Sequence, residues 1–116
     1  MLLRLVIPVA GLRTPALLIV RCADTRRVAG KYLAGRLRDD ASQPAVVFDD
    51  SAAFHKDLAE TYGLRPLGGG WCEIHHDARQ IVLSNHSAQF GREPDRALAV
   101  ALFQRAFPAY TCWPED

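Results

Sequence analysis

The sequence has no CxxC pair, almost no net charge and no apolar run long enough to cross a bilayer, and each absence closes off a class of protein. Its three cysteines, Cys22, Cys72 and Cys112, are odd in number and far apart, so a disulfide framework is not expected and a reducing compartment fits. Each cysteine reads as a small buried hydrophobe. A formal net charge of +1 gives no broad field for wrapping nucleic acid, and no aromatic ladder interleaves with the basic residues. The apolar stretch Leu2 to Ala10 is interrupted by Arg4 and broken by Pro8, which makes it too short for a membrane span and unlike a signal peptide. The expectation is a cytoplasmic protein with neither nucleic acid nor membrane as a partner. No repeat or linker divides the 116 residues, enough for a single domain, 1–116, with a core of its own.

What the sequence does have is a run of three glycines, Gly68, Gly69 and Gly70, between Leu67 and Trp71. Glycine gives up more backbone entropy on ordering than any other residue, so three in succession imply that bare backbone is needed there. Either a bulge or the close approach of another group would supply that need.

In chain order, Leu2 to Val9 reads as a strand, and Ala16 to Cys22 (ALLIVRC) as a central strand covered on both faces. Asp24 is placed to cap a helix on which Val28, Ala29, Tyr32, Leu33 and Leu37 form one stripe and Arg27, Lys31 and Arg38 lie opposite. Ala45 to Phe48 is a short strand. A second helix, capped by Asp49, Asp50 or Ser51, runs to about Tyr62 and closes at Gly63, with Phe54 and Leu58 inward and His55 at the border of core and solvent. Trp71 to His75 and Gln80 to Ser84 form a hairpin. Pairing His75 with Gln80 puts Cys72, Ile74, Ile81 and Leu83 on one face. After the polar loop Asn85 to Gly91, a helix beginning near Pro94 runs to about Phe107, is stopped by Pro108, and precedes a last strand, Tyr110 to Trp113. Strands interleaved with helices and a hairpin predict an α/β or α+β domain with a mixed sheet layered between helices.

From Leu67 onward the residues resemble the C-terminal half of the Janus/Ocnus family, whose members include the phosphohistidine phosphatases. The triglycine, the hairpin, the loop Ser84 to Gly91 and the helix ending Ala106, Phe107, Pro108, Ala109, Tyr110 carry the likeness. The ALLIV strand and the segment Phe54, His55, Lys56, Asp57, Leu58, an aromatic, His, any residue, Asp, aliphatic pattern, add to it. The resemblance implies a phosphohistidine phosphatase-like fold and a metal-independent hydrolase with no cofactor. His55 would be its catalytic histidine, and the amides of Ser87, Ala88, Gln89 and Gly91 its phosphate cradle. A phosphohistidine-bearing protein or a small phosphoamide would be its substrate, and the protein a monomer or weak dimer.

The chemistry asks for a base or nucleophile in line, donors for three equatorial oxygens and a proton for the leaving nitrogen. A neutral histidine supplies the first, and loop amides beside a helix start supply the second, with Ser87 and Gln89 able to add side-chain donors. Two cations of the family pattern are replaced, since Trp71 stands where an arginine follows the glycines and Ala16 where a lysine opens the second strand. Arg92 is the nearest sequence substitute, and Trp71 becomes a candidate for the mouth of the cleft. With those charges gone, the competing reading is a catalytically silent relative that binds an anion, peptide or protein through the same cleft, and a third is an interaction protein that buries Trp71 or Trp113 in a dimer. A metal site from Cys72, His76 and His86 is disfavoured because adjacent strand residues point to opposite faces. A serine hydrolase using Ser87 lacks a nucleophile elbow.

Overall fold

A computed structural model of the chain describes residues 1–115. Seven strands form one mixed sheet in the order β1-β2-β4-β3-β5-β6-β7. They are β1 (Leu2–Ile7), β2 (Ala16–Arg21), β3 (Arg27–Leu37), β4 (Pro44–Asp49), β5 (Leu64–His75), β6 (Gln80–Ser84) and β7 (Thr111–Pro114), with helices α1 (His55–Tyr62) and α2 (Arg96–Ala106). The pairs β2/β4 and β6/β7 are parallel and the other neighbours antiparallel. The chain is thus a mixed α+β domain. No described helix is long and apolar enough to cross a membrane.

Strand alternation divides the core into two layers. Leu18 and Val20 of β2, Val46 and Phe48 of β4, and Cys72, Ile74, Ile81 and Leu83 of the hairpin face Ala99, Leu102 and Phe103 of α2. Leu17, Ile19, Leu33, Ala45 and Val47 point the other way and pack with Leu58 and Ala59 of α1. The sheet therefore lies between one helix on each side. The hairpin has the register the sequence predicts, with His75 opposite Gln80. β2 is buried along all but its last residue, Arg21, as its unbroken apolar run requires.

The helix expected over Val28 to Leu37 is instead β3, paired with β4 on one edge and β5 on the other. Val28, Gly30 and Tyr32 alternate toward α2 while Leu33 turns toward α1, so two neighbouring buried residues, Tyr32 and Leu33, imitate a helical stripe. Gly30 and Gly35 would each cost a helix interior about 1 kcal/mol. In the strand a side chain at Gly30 would come 2.9 Å from the Asp50 backbone and 3.2 Å from the Phe48 ring.

The helix closed at Gly63 also starts later than its sequence signals imply. Asp49 accepts from the Ser51 amide and hydroxyl at 3.0 and 2.6 Å and from the Tyr62 hydroxyl at 2.6 Å, so it ends β4 rather than opening α1. The N-cap is Phe54, whose amide donates to Asp57 at 2.9 Å. Phe54 is 60% exposed, not inward, because the capping position lies outside the first turn. Gly63 takes the left-handed conformation at φ 68° and no atom would crowd a side chain there. Gly63→Ala is expected to cost about 1 kcal/mol, the strain of a left-handed alanine alone, measured as a fall in the urea midpoint at constant slope. At α2 the Asp95 carboxylate accepts from the Leu98 amide at 3.1 Å, and the helix ends at Ala106 before Pro108.

Candidate functional site

The three glycines lie inside β5, not at its start, opposite Ala34, Leu33 and Tyr32 of β3. The register slips between Ala34 and Gly35, leaving Leu67 as the extra residue of a bulge. A side chain at Gly69 would strike the Tyr32 carbonyl and come 3.1 Å from His55 Cδ2. One at Gly68, where φ is +147°, would strike the Glu93 amide, and one at Gly70 would strike the Ser84 carbonyl and come 2.8 Å from Arg96 Nη2. Both needs inferred from the sequence are met at once. The groups that approach are the protein's own, with His55 on the α1 side and Glu93 and Arg96 on the α2 side.

His55 is the first residue of α1 and is buried, deeper than the border position its helical phase implies. Its Nε2 lies 2.9 Å from the Gly70 carbonyl. A carbonyl only accepts, so this bond assigns the proton to Nε2 and leaves the lone pair on Nδ1. Nδ1 has no hydrogen-bond partner among the described residues. Burial pushes the imidazole pKa below its ordinary 6.5, the Gly70 bond opposes this, and the positive charge of Lys31 lowers it further. His55 is therefore a neutral, oriented base at pH 7.

The loop is stitched to the same strand. Ser87 N donates to Gly69 O at 3.1 Å, and Gly69 N donates back to Gly91 O at 2.9 Å. Within the loop Gly91 N donates to Ser87 O at 2.9 Å and Phe90 N to Ser87 Oγ at 3.0 Å. Phe90 packs into the α1-side core. Ser87 is thus a buried cap for the turn, its hydroxyl occupied by Phe90 and its amide by Gly69. The Ala88 and Gln89 amides, at the exposed tip, donate to no other described residue. Trp71 is half-buried, directly across from Lys31, with the Lys31 ammonium 5.6 Å from its ring centroid. Arg92 lines a cleft of about 230 Å³ with Asn85, His86 and Arg96, and its backbone borders Gly68 on the α2 side. Ala16 is fully buried, so the position itself brings no charge to the site.

Lys31, Tyr32, Glu93 and Arg96 belong to this neighbourhood although no sequence signal singled them out. Arg96 and Glu93 form a buried ion pair, with Nη2 and Nε donating to Oε1 at 2.8 and 3.0 Å. The same Nη2 donates to the carbonyls of Asn85 at 2.7 Å and Gly69 at 3.3 Å. The guanidinium lies 5.7 Å from the Tyr32 ring centroid. The Tyr32 hydroxyl and Glu93 Oε2 are both buried without a partner in hydrogen-bonding geometry. They still act on each other across that gap, since burial first and Glu93 second push the Tyr32 phenol far above its usual range. Two charges at i and i+3 beside a helix start ordinarily read as solvated, and here β5, the Tyr32 ring and the Asn85 carbonyl enclose them.

Among the described residues no three His, Cys, Asp or Glu side chains converge as a metal site would require. Cys72 is buried in the α2-side core, while His76 Nδ1 pairs with the Tyr110 hydroxyl at 2.7 Å. No protein-family model matches the chain, and no curated protein matches it significantly.

Proposed function

We propose that this chain is a phosphohistidine phosphatase-like hydrolase of the Janus/Ocnus type, cleaving a phosphorus–nitrogen bond without a metal. The observation that carries the reading is the state of His55, held neutral by burial and fixed through Nε2 on Gly70 so that Nδ1 is the free basic atom. In this reaction Nδ1 takes a proton from a water whose oxygen attacks phosphorus in line. The phosphorus–nitrogen bond breaks with its electron pair staying on the leaving nitrogen, a second water protonates that nitrogen to release neutral imidazole or amine, and the hydroxide so formed takes the proton from Nδ1. The Ala88 and Gln89 amides are the loop donors left for phosphoryl oxygens. The substrate is a phosphohistidine-bearing protein or a small phosphoamide.

The test is hydrolysis of a phosphohistidine peptide by wild type and His55→Ala. General-base loss is expected to slow turnover about a hundredfold or more. The wild-type rate should rise with pH through a pKa below 6.5 and be flat at neutral pH, because the base works only unprotonated and burial depresses its pKa. Undiminished hydrolysis by His55→Ala would remove the base assignment. A second reading, a silent relative that binds an anion or peptide, is favoured by one observation, the replacement of the family arginine by Trp71. It is adopted if wild type shows no hydrolysis.

A further inference from the structure

We infer that Lys31 is the anion-binding cation of the His55 face, and that Trp71 serves as its platform rather than as a vacancy where charge has been lost. The inference rests on the reading of that face as the reacting site. Lys31 and Trp71 are direct cross-strand partners on β3 and β5, so their side chains leave the sheet on the same face. That is the face on which Gly69 meets His55 and on which Leu33, two residues beyond Lys31, packs under α1. The ammonium stands 5.6 Å from the Trp71 ring centroid, within the range in which an aromatic face attracts a cation. A guanidinium at position 71 would have pointed along the same normal. The indole in its place instead holds the neighbouring strand's charge upright.

Three further observations point to an anion as the ligand. Lys31 is only partly exposed and forms no ion pair with any described residue. The nearest acid along the same face of β5, Glu73, is engaged by His75 at 3.4 Å. The charge of Lys31 also acts on His55, lowering its pKa behind the larger effect of burial, while the Gly70 bond and the charge of Glu93 raise it. A partly buried lysine without a counter-ion, on the sheet face that carries a neutral imidazole and next to the strand to which the open-amide loop is bonded, matches a phosphoryl dianion in sign.

Titration with inorganic phosphate, followed by amide shifts in two-dimensional NMR and by calorimetry, tests this on wild type, Lys31→Met, Lys31→Arg and His55→Ala. Lys31→Met keeps the stem and removes the charge, so it should melt like wild type, bind phosphate at least tenfold more weakly and raise the His55 pKa. Lys31→Arg should stay within about threefold of wild type, since the charge is kept. His55→Ala should still bind phosphate. Lys31-dependent binding without any phosphohistidine hydrolysis upholds Lys31 and removes the enzyme reading. Hydrolysis and phosphate binding unchanged in Lys31→Met overturn the role of Lys31 and leave the enzyme reading standing. Absence of phosphate binding by wild type at millimolar concentration overturns the inference, as does a Lys31→Arg variant as weak as Lys31→Met.

Discussion

Gly69→Ala is expected to cost about 3 kcal/mol or more, at the upper end of overpacking penalties, and to unseat His55 if the protein folds. The added methyl would enter the Tyr32 carbonyl and stand 3.1 Å from His55 Cδ2 and 3.2 Å from the Leu33 Cα. Two of these three neighbours are backbone held in the β3–β5 ladder, where Leu33 pairs with Gly69 and Tyr32 with Gly70. They cannot step aside singly. The imidazole can, but only by giving up its 2.9 Å bond to the Gly70 carbonyl, the contact that sets its tautomer. Gly91→Ala is the matched control. Gly91 has φ +74° with nothing within 4 Å of an added methyl, so it should lose only about 1 kcal/mol to left-handed strain. Urea unfolding of both variants reads the difference, and His55 titration by NMR reads the ring. Gly69 is not among the left-handed glycines, so a loss at Gly69→Ala no larger than at Gly91→Ala would mean that the ladder yields to the added methyl.

The parts of the fold legible in the sequence are those in which one face is buried and the other is not, or both are. The hairpin register followed from Cys72, Ile74, Ile81 and Leu83, because a slip of one residue would have sent all four to the wrong side. The ALLIV run announced a strand covered on both faces, and Gly63 announced the end of α1. β3 was not legible from apolar spacing because Tyr32 and Leu33 are both buried on opposite faces of an interior strand, a pattern that fits either period. Gly30 and Gly35 were the discriminating residues. Their absent side chains serve the packing of β3 against β4 and β5, which a helical reading does not weigh.

The site divides in the same way. His55 was picked out as a candidate from its local segment, in which Asp57 holds the Phe54 amide so that His55 is the first turn's leading residue. Its partner Gly70 was not visible, because the contact joins α1 to a strand 15 residues away. Lys31 was hidden by the misread helix, on which it fell on the face assigned to solvent. Read as a strand residue, it becomes the cross-strand neighbour of Trp71 and lies on the face of His55. An error in secondary structure thus moved a charge from the sheet face of His55 to a solvated helix face.

The second large effect is expected at Arg96, and it separates what holds the glycines from what the glycines hold. Arg96→Met should destabilise by about 3–5 kcal/mol, the cost of leaving a buried charge uncompensated, against a total of about 5–15 kcal/mol for a domain. It strands Glu93, whose Oε2 already lacks a partner, and frees the Asn85 carbonyl that Arg96 holds at 2.7 Å. Glu93→Gln should cost less, since the amide oxygen can still accept from Nε and Nη2. Exchanging both, as Glu93→Leu with Arg96→Met, should cost clearly less than the two single changes added together, because no ion is then left buried alone. The comparison is made by denaturant unfolding of Glu93→Leu, Arg96→Met and the double that combines them. A double variant equal to the sum would mean that the two charges act independently, as solvated groups do. Subadditivity would show that the α2 side of the triglycine is a structural clamp. The backbone bared there then serves stability, apart from the opposite face, where Gly69 would crowd His55 and the Gly70 carbonyl bonds it.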